Sequence, residues 1–504
     1  MLKSRVQPPP LLGLAPLLGL VGALLVAGTA LADLERDVRR ALSTAGLGGA
    51  TVSVSVRNPE TGEELVQIDD DRPMIPASNM KLFTSGAALH RFGTEFKART
   101  TFRFDGETLW VIGGGDPALG DPLILEDTSW TLGDREHERL DPDLFLELIA
   151  ASIREAGVTR IEELVVDDRI FDRNHVHPDW PRDQLDKGYC AEVAGVNFHT
   201  NVIGIHVDKG AGPTPIIRSI EPSVPWLTPK MTATRRLDKP SAIGVSRSPG
   251  ANDLSIWGNI SGPCFAKTTL SNLPEVFGLI LENRLESDGV RVGSVRLATD
   301  GDVPSGRAIE PILVTNIATL LDRCNTDSQN LYAEALCKLL GNSVEGEPGS
   351  WENGTRVMRM ILRERIGARH AQDFIARDGS GMSRGNRITA EMTTDWIASF
   401  DRDGRLGPTF LESLAVMGET GTVRNRGADV PDRALVQCKT GYINGVSCLS
   451  GLVSAPDGRS LAFSVLCNDL SAKAPVSRAK AFQDAVVTLV AKRLQTTEIP
   501  AAVD

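Results

Sequence analysis

Both ends of the chain are built from short alternating strands and amphipathic helices, and the stretch between them follows another pattern. From Asp33 to Leu47, Leu34, Val38 and Leu42 recur at helical spacing. Residues 50–56 alternate as a strand, "NPETGEEL" turns, and "LVQI" runs back. At the other end, "ALVQCKTGYINGVSCLSGLVS" and "LAFSVLCND" read as three strands. A helix from Ser477 to Leu494 follows, with Phe482, Val486, Leu489 and Val490 on one stripe, suited to lie on an antiparallel sheet rather than to anchor in a membrane. At 504 residues the chain exceeds one compact core. The prediction is one α+β domain assembled from residues 33–97 and 310–504, interrupted by an insertion at 98–309. Within it, "DPDLFLELIAASIREAGV" is a helix capped by Asp141 or Asp143 and ended by Gly157, and "IEELVVDD" is a strand.

The first residues read as a targeting segment. Lys3 and Arg5 give a positive start, Leu11 to Ala27 is apolar apart from Pro16, and Ala30-Leu31-Ala32 is a small-x-small cleavage site. Residues 1–32 are therefore expected to be a cleaved signal peptide rather than a retained anchor. No cysteine follows for lipid attachment, and no other segment is apolar enough to span a bilayer. The expectation is an exported, periplasmic protein, soluble after processing. A net charge of −11, no long Lys/Arg run and sparse aromatic residues argue against nucleic acid as a partner.

Seven cysteines leave at least one without an intrachain partner, and no CxxC supports a zinc site. Cys438 and Cys448 flank a hairpin and are candidates to face each other across it. The alternative is that most of the seven are small buried thiols. His175 and His177 lack a third ligand nearby and read as loop residues, so neither metal nor cofactor is expected.

The chemistry starts in "PASNMKLFTSGAAL", where Lys81 follows Ser78 by three residues on an otherwise small and apolar helix. Residues at this spacing share a helix face, so the amine can reach the hydroxyl. Serine is a weak nucleophile until a base takes its proton, and lysine is such a base only if burial or a second cation lowers its pKa. The tetrapeptide alone is weak evidence; a second one, Ser477 to Lys480, fits a solvated helix face. Two further pieces add weight. "NTDSQNLYAEAL" brings Ser328 and Asn330 to a helix start, and "VQCKTGYINGV" brings Lys439, Thr440 and Gly441 to a strand. Ser328 can relay a proton to a leaving group, Asn330 can hold a substrate amide and Lys81, and Lys439 is the second cation. Its strand can accept an extended peptide, with Gly441 allowing close approach.

S-x-x-K, S-x-N and K-T-G in this order resemble the set of serine β-lactamases and penicillin-binding proteins. The long gap between Lys81 and Ser328, with "GGGDPAL", "VVDDRIFD" and "DGSGMSR", makes most of the chain similar to the low-molecular-mass class C penicillin-binding proteins, D-alanyl-D-alanine carboxypeptidase/endopeptidases. The resemblance implies a three-layer transpeptidase-like domain of helices around an antiparallel sheet, carrying a large insertion in two parts, one nested in the other. It implies Ser78 as nucleophile, Lys81 as base, and the Ser78 and Tyr442 amides as oxyanion hole. It implies an acid from the insertion, Asp167 or Asp168, and Arg384 to hold the free end of a diaminopimelic side chain. The implied partners are peptidoglycan stem peptides, with β-lactams as covalent inhibitors. Two departures stand out: Gln329 replaces the usual aspartate, and Tyr442 replaces a small hydroxyl residue. A β-lactamase or esterase with the same machinery, or a non-catalytic peptidoglycan-binding protein, are the rival readings.

Overall fold

The computed structural model describes residues 34–132 and 134–496; the expected signal peptide, 1–32, lies outside the described residues. The two chain ends meet in one six-stranded sheet. Its order is Ala415–Val416, Leu435–Ile443, Val446–Ser454, Ser460–Asn468, Thr51–Arg57, Glu64–Ile68, and every neighbouring pair is antiparallel. Thr51 stands opposite Asn468 and Arg57 opposite Ala462, so the amino-terminal strand completes a sheet begun by the carboxy-terminal ones.

The sheet is covered on both faces. On one, Leu34 and Val38 of the first helix and Phe482, Val486 and Val490 of the helix Val476–Thr496 pack on Val52, Val54, Leu449 and Phe463. Each such side chain contributes about 1.5–3 kcal/mol by leaving water, which is why the terminal helix lies on the sheet. On the other face, the helices Met80–Phe92, Asn330–Asn342, Trp351–Ile366 and Ala390–Asp401 share a core with Leu452 and Leu466. The result is an α+β domain of three layers. Among the described residues no helix is long and apolar enough to cross a membrane.

All seven cysteines are unbridged. Of the two readings, that of small buried thiols holds for most of them, and Cys438 and Cys448 do not face each other: Ile443 pairs with Val446, which sets Cys438 opposite Gly451 and Cys448 opposite Gly441. The turn lies further along than the cysteines' midpoint, and that offset separates them.

The insertion leaves on Lys97–Phe104 and returns on Arg307–Asn316, antiparallel neighbours with Lys97 opposite Asn316. These strands belong to a five-stranded sheet ordered Arg291–Leu297, Arg160–Asp167, Thr108–Ile112, Lys97–Phe104, Arg307–Asn316. The helices Pro142–Glu155 and Leu273–Ser287 share a core with it. Asp141 caps the first of these, accepting from Leu144 N at 2.8 Å, whereas Asp143 pairs with Arg284. Between Val202 and Thr269 the chain forms two further small sheets.

Candidate active site

Ser78 sits in the single 3-10 turn Ala77–Asn79 that opens the helix Met80–Phe92. The turn is held in a costly conformation: Ala77 has φ 47°, in the left-handed region. Asn79 Nδ2 donates to Ser450 Oγ at 2.6 Å and ties the turn to the sheet. The loop Asp378–Arg384 presses on it from the other side. Gly381, at φ +85°, has no room for a side chain, since a Cβ would lie 1.8 Å from Ala77 O.

Lys81 is fully buried. Its Nζ donates to Ser78 Oγ at 3.1 Å, Asn330 Oδ1 at 2.7 Å and Ser380 O at 3.2 Å. Burial lowers its pKa to about 8, so at neutral pH a useful fraction is the free amine. Lys439, equally buried, donates to Ser328 Oγ at 2.9 Å. Its pKa falls to about 7, through burial first and then the nearby Lys81 charge. The Lys81 ammonium thus disfavours that of Lys439. Ser328 adopts φ 60° just before the helix that carries Asn330. Asn330 Nδ2 donates to Tyr189 O of the insertion at 2.8 Å. The five expected polar groups therefore form two serine–lysine pairs, with Asn330 on Lys81.

Thr440 Oγ1 lies 2.8 Å from Thr422 Oγ1. At Gly441 a Cβ would stand 2.5 Å from Pro76 O and 3.1 Å from Asn79 N. Gly441→Ala is accordingly expected to push the strand off the Ser78 turn. Misplacement of that kind costs about 10²-fold in rate, to be read as slower acylation by a chromogenic β-lactam. The strand Ala415–Val416 covers only Cys438 and Gln437. From Lys439 onward that edge has no strand neighbour among the described residues, as strand addition requires.

A cavity of about 720 Å³ lies alongside, lined by Ser78, Asn330, Met382, Arg384, Tyr442, Asp179, Gln184 and Tyr189 among others. Arg384 lines it with its Nη1 on Asn444 O at 2.8 Å. Tyr442 is at the mouth and largely exposed. Asp167 and Asp168 are a correction, since neither lines this cavity. Asp167 is clasped by Arg169 at 2.7 Å through both carboxylate oxygens. Asp168 is buried against Arg173, with His175 Nε2 at 3.8 Å. Burial favours its neutral form, yet its hydrogen bonds to His175 and Arg173 hold its pKa below the ordinary value. The acid that the insertion does bring is Asp179, whose Oδ2 accepts from Ser383 Oγ at 2.6 Å. Sequence reasoning missed it in an irregular loop. The usable signal was its neighbour Trp180, a buried tryptophan that anchors the loop through Nε1 on Asp378 Oδ2 at 3.1 Å.

His177 packs edge-on against Trp351, and His175 sits between Asp168 and Glu192. Elsewhere, His370, Glu391 and Asp395 bring ligand atoms within 4.8 Å of one another. Arg369 pairs with Glu391, Arg57 with Asp395, and His370 Nε2 lies 2.7 Å from Asp395 Oδ2, which makes that cluster an ion-pair network.

A nucleophile turn under an open strand edge, with two buried amines beside two serines, defines a serine enzyme of the acyl-transfer type. The sequence matches the D-Ala-D-Ala carboxypeptidase 3 (S13) family over residues 34–492, and the chain belongs to that family of serine peptidases. It is 30% identical to a D-alanyl-D-alanine carboxypeptidase of Actinomadura sp. over 494 residues, 92% of this chain and 86% of that one. A carboxypeptidase of Haemophilus influenzae is 23% identical over 84% of this chain and 86% of its own. In three dimensions the chain is similar to penicillin binding protein 4 from Haemophilus influenzae, with TM-score 0.70, 20% identity and coverage of 91% and 99%.

Proposed function

We propose that this protein is an exported D-Ala-D-Ala carboxypeptidase acting on peptidoglycan stem peptides, and that the same site cleaves D-alanyl cross-links. The observation that carries the reading is one contact set: a buried, weakly basic Lys81 amine bonded at once to Ser78 Oγ and Asn330 Oδ1. Lys81 takes the Ser78 proton as Oγ attacks the carbonyl between the two D-alanines. The Ser78 and Tyr442 amides receive the oxyanion; losing one such donor costs about 10²–10³ in rate. The C–N bond then breaks, and the departing amine takes a proton through Ser328, held by Lys439. Water hydrolyses the ester on Ser78 and releases the shortened peptide. Cross-link cleavage differs only in the leaving amine.

Thr440, Gly441 and Tyr442 form the strand on which the peptide lies. Asp179 and Arg384, a carboxylate and a guanidinium that line one cavity, face the ammonium and the carboxylate at the free end of the stem peptide's side chain. β-Lactams present the same carbonyl and leave Ser78 acylated. Residues 98–309 supply the far wall, and residues 1–32 direct export to the periplasm.

The test is intact mass after brief incubation with benzylpenicillin, beside Ser78→Ala, together with D-alanine release from a stem pentapeptide. One adduct on the wild type alone, with D-alanine released, is the expected result. Rapid penicillin loss without an adduct would instead indicate a β-lactamase, and neither adduct nor turnover a binding protein.

A further inference from the structure

Glu334 lies one turn beyond Asn330 on the same helix, fully buried among Leu331, Ala333 and Ala335. A carboxylate in such surroundings persists only if its lone pairs are answered. Three N–H groups answer them: Ser380 N donates to Oε1 at 2.8 Å, while Gly379 N at 2.8 Å and Trp351 Nε1 at 2.7 Å donate to Oε2. All three partners are donors, so the site takes an acceptor-only group; a glutamine would turn its own N–H groups towards them. The residue so held is the one whose carbonyl receives Lys81. Ser380 donates its amide to Glu334 and accepts from Lys81 Nζ at 3.2 Å. Gly379 is pinned likewise, its carbonyl accepting from Thr84 Oγ1 at 2.6 Å.

We propose that Glu334 is a positioning residue for Ser78 acylation: through the Gly379 and Ser380 amides it aims the Ser380 carbonyl at the Lys81 amine, and its negative charge governs the pH at which that amine becomes a base. The proposal rests on the reading of Lys81 as the base. The titratable groups around Glu334 are Lys81 and Cys324 from the neighbouring helices, Asp378 from the loop, and Cys337 and Lys338 from its own helix. Those acting on Lys81 are Cys324, Glu334 and Asp378, and Lys81 in turn acts on Lys439. Burial, and then the charge of Asp378, raise the Glu334 pKa to about 7. The sign follows. An anionic Glu334 favours the charged form of Lys81, and a neutral side chain in its place makes the amine easier to deprotonate.

The experiment is the second-order rate constant for acylation by benzylpenicillin as a function of pH, for wild type, Glu334→Gln and Trp351→Phe. The acid limb of Glu334→Gln is expected about one pH unit lower than that of the wild type. Its plateau falls about 10-fold, because the Ser380 carbonyl is no longer held. Trp351→Phe keeps an aromatic side chain but removes the indole donor to Oε2, which makes the Glu334 anion less stable. Its acid limb moves the same way by less. A Glu334→Gln profile lowered at every pH with an unmoved midpoint makes Glu334 a structural residue and overturns the proposal. Should Glu334→Gln not fold, an unmoved midpoint in Trp351→Phe does the same. No adduct on wild-type Ser78 at any pH removes the base reading itself, and the proposal with it.

Discussion

Lys81→Met is expected to slow acylation of Ser78 by benzylpenicillin about 10³-fold while the protein stays folded. A positioned general base contributes typically about 10²–10⁴-fold, and the contact of Lys81 Nζ with Ser78 Oγ at 3.1 Å is the contact that can supply it. Methionine fills most of the lysine's volume, so no large cavity opens. Two opposing terms act on stability. Removing a fully buried cation relieves its desolvation, whereas Asn330 Oδ1 and Ser380 O lose their donor, at about 1–3 kcal/mol for each buried acceptor left unpaired. They nearly cancel, and the melting temperature is expected to move by only a few degrees. Lys439 responds as well. The Lys81 charge helps to lower its pKa to about 7, so in the variant Lys439 holds its proton to higher pH. Stopped-flow acylation with a chromogenic β-lactam measures the effect. Equal rates in variant and wild type would move the role of base to Lys439.

How much of this was written in the sequence depends on what each signal measures. Periodicity reports burial, so the strands Thr51–Arg57 and Ser460–Asn468 and the terminal helix were legible, as was the assembly of one domain from both chain ends. Register depends on the turn, which pattern does not locate, so whether Cys438 faces Cys448 stayed open in the sequence, whereas the apolar surroundings that bury most of the thiols were legible. The Ser78–Lys81 contact was legible because local spacing fixes it, even though the first turn is 3-10 and the regular helix starts only at Met80. The pairing of Lys439 with Ser328 spans the chain and was suggested only by motif order. Asp167 and Asp168 follow a strand and looked available, but the arginines at 169 and 173 consume them. Asp179 sits in a loop with no period to read. Glu334 did leave a trace: an acid in the largely apolar helix "LYAEALCKLL", one turn from Asn330, has to be buried with partners.

Asp121→Ala is the substitution expected to cost most in stability, about 3–5 kcal/mol, since it strands a buried charge. Asp121 belongs to the insertion, and its Oδ2 accepts from Arg323 Nε at 3.0 Å, Arg323 Nη2 at 2.8 Å and Tyr332 Oη at 2.6 Å. Asp121 is 1% exposed and Arg323 6%, so water cannot replace the lost carboxylate. Asp327 also pairs with Arg323, but its side chain is one-third exposed and it approaches from a different nitrogen. The damage reaches the active site along the chain. Arg323 ends the helix Ile317–Asn325, and its carbonyl accepts from Gln329 N at 3.1 Å, which closes the turn that holds Ser328 at φ 60°. Tyr332 stands one half-turn beyond Asn330 on the next helix. Freed from Asp121, the segments that carry Ser328 and Asn330 are expected to loosen together, and acylation to fall along with the melting temperature. Asp121→Asn keeps an acceptor but not the charge, and should lose less. Thermal unfolding of the two variants beside Arg323→Met tests the argument: the methionine removes the stranded charge, so Asp121→Ala combined with Arg323→Met is expected to be more stable than Asp121→Ala alone. If the double variant is no better, the buried pair does not hold the insertion to the Ser328 turn.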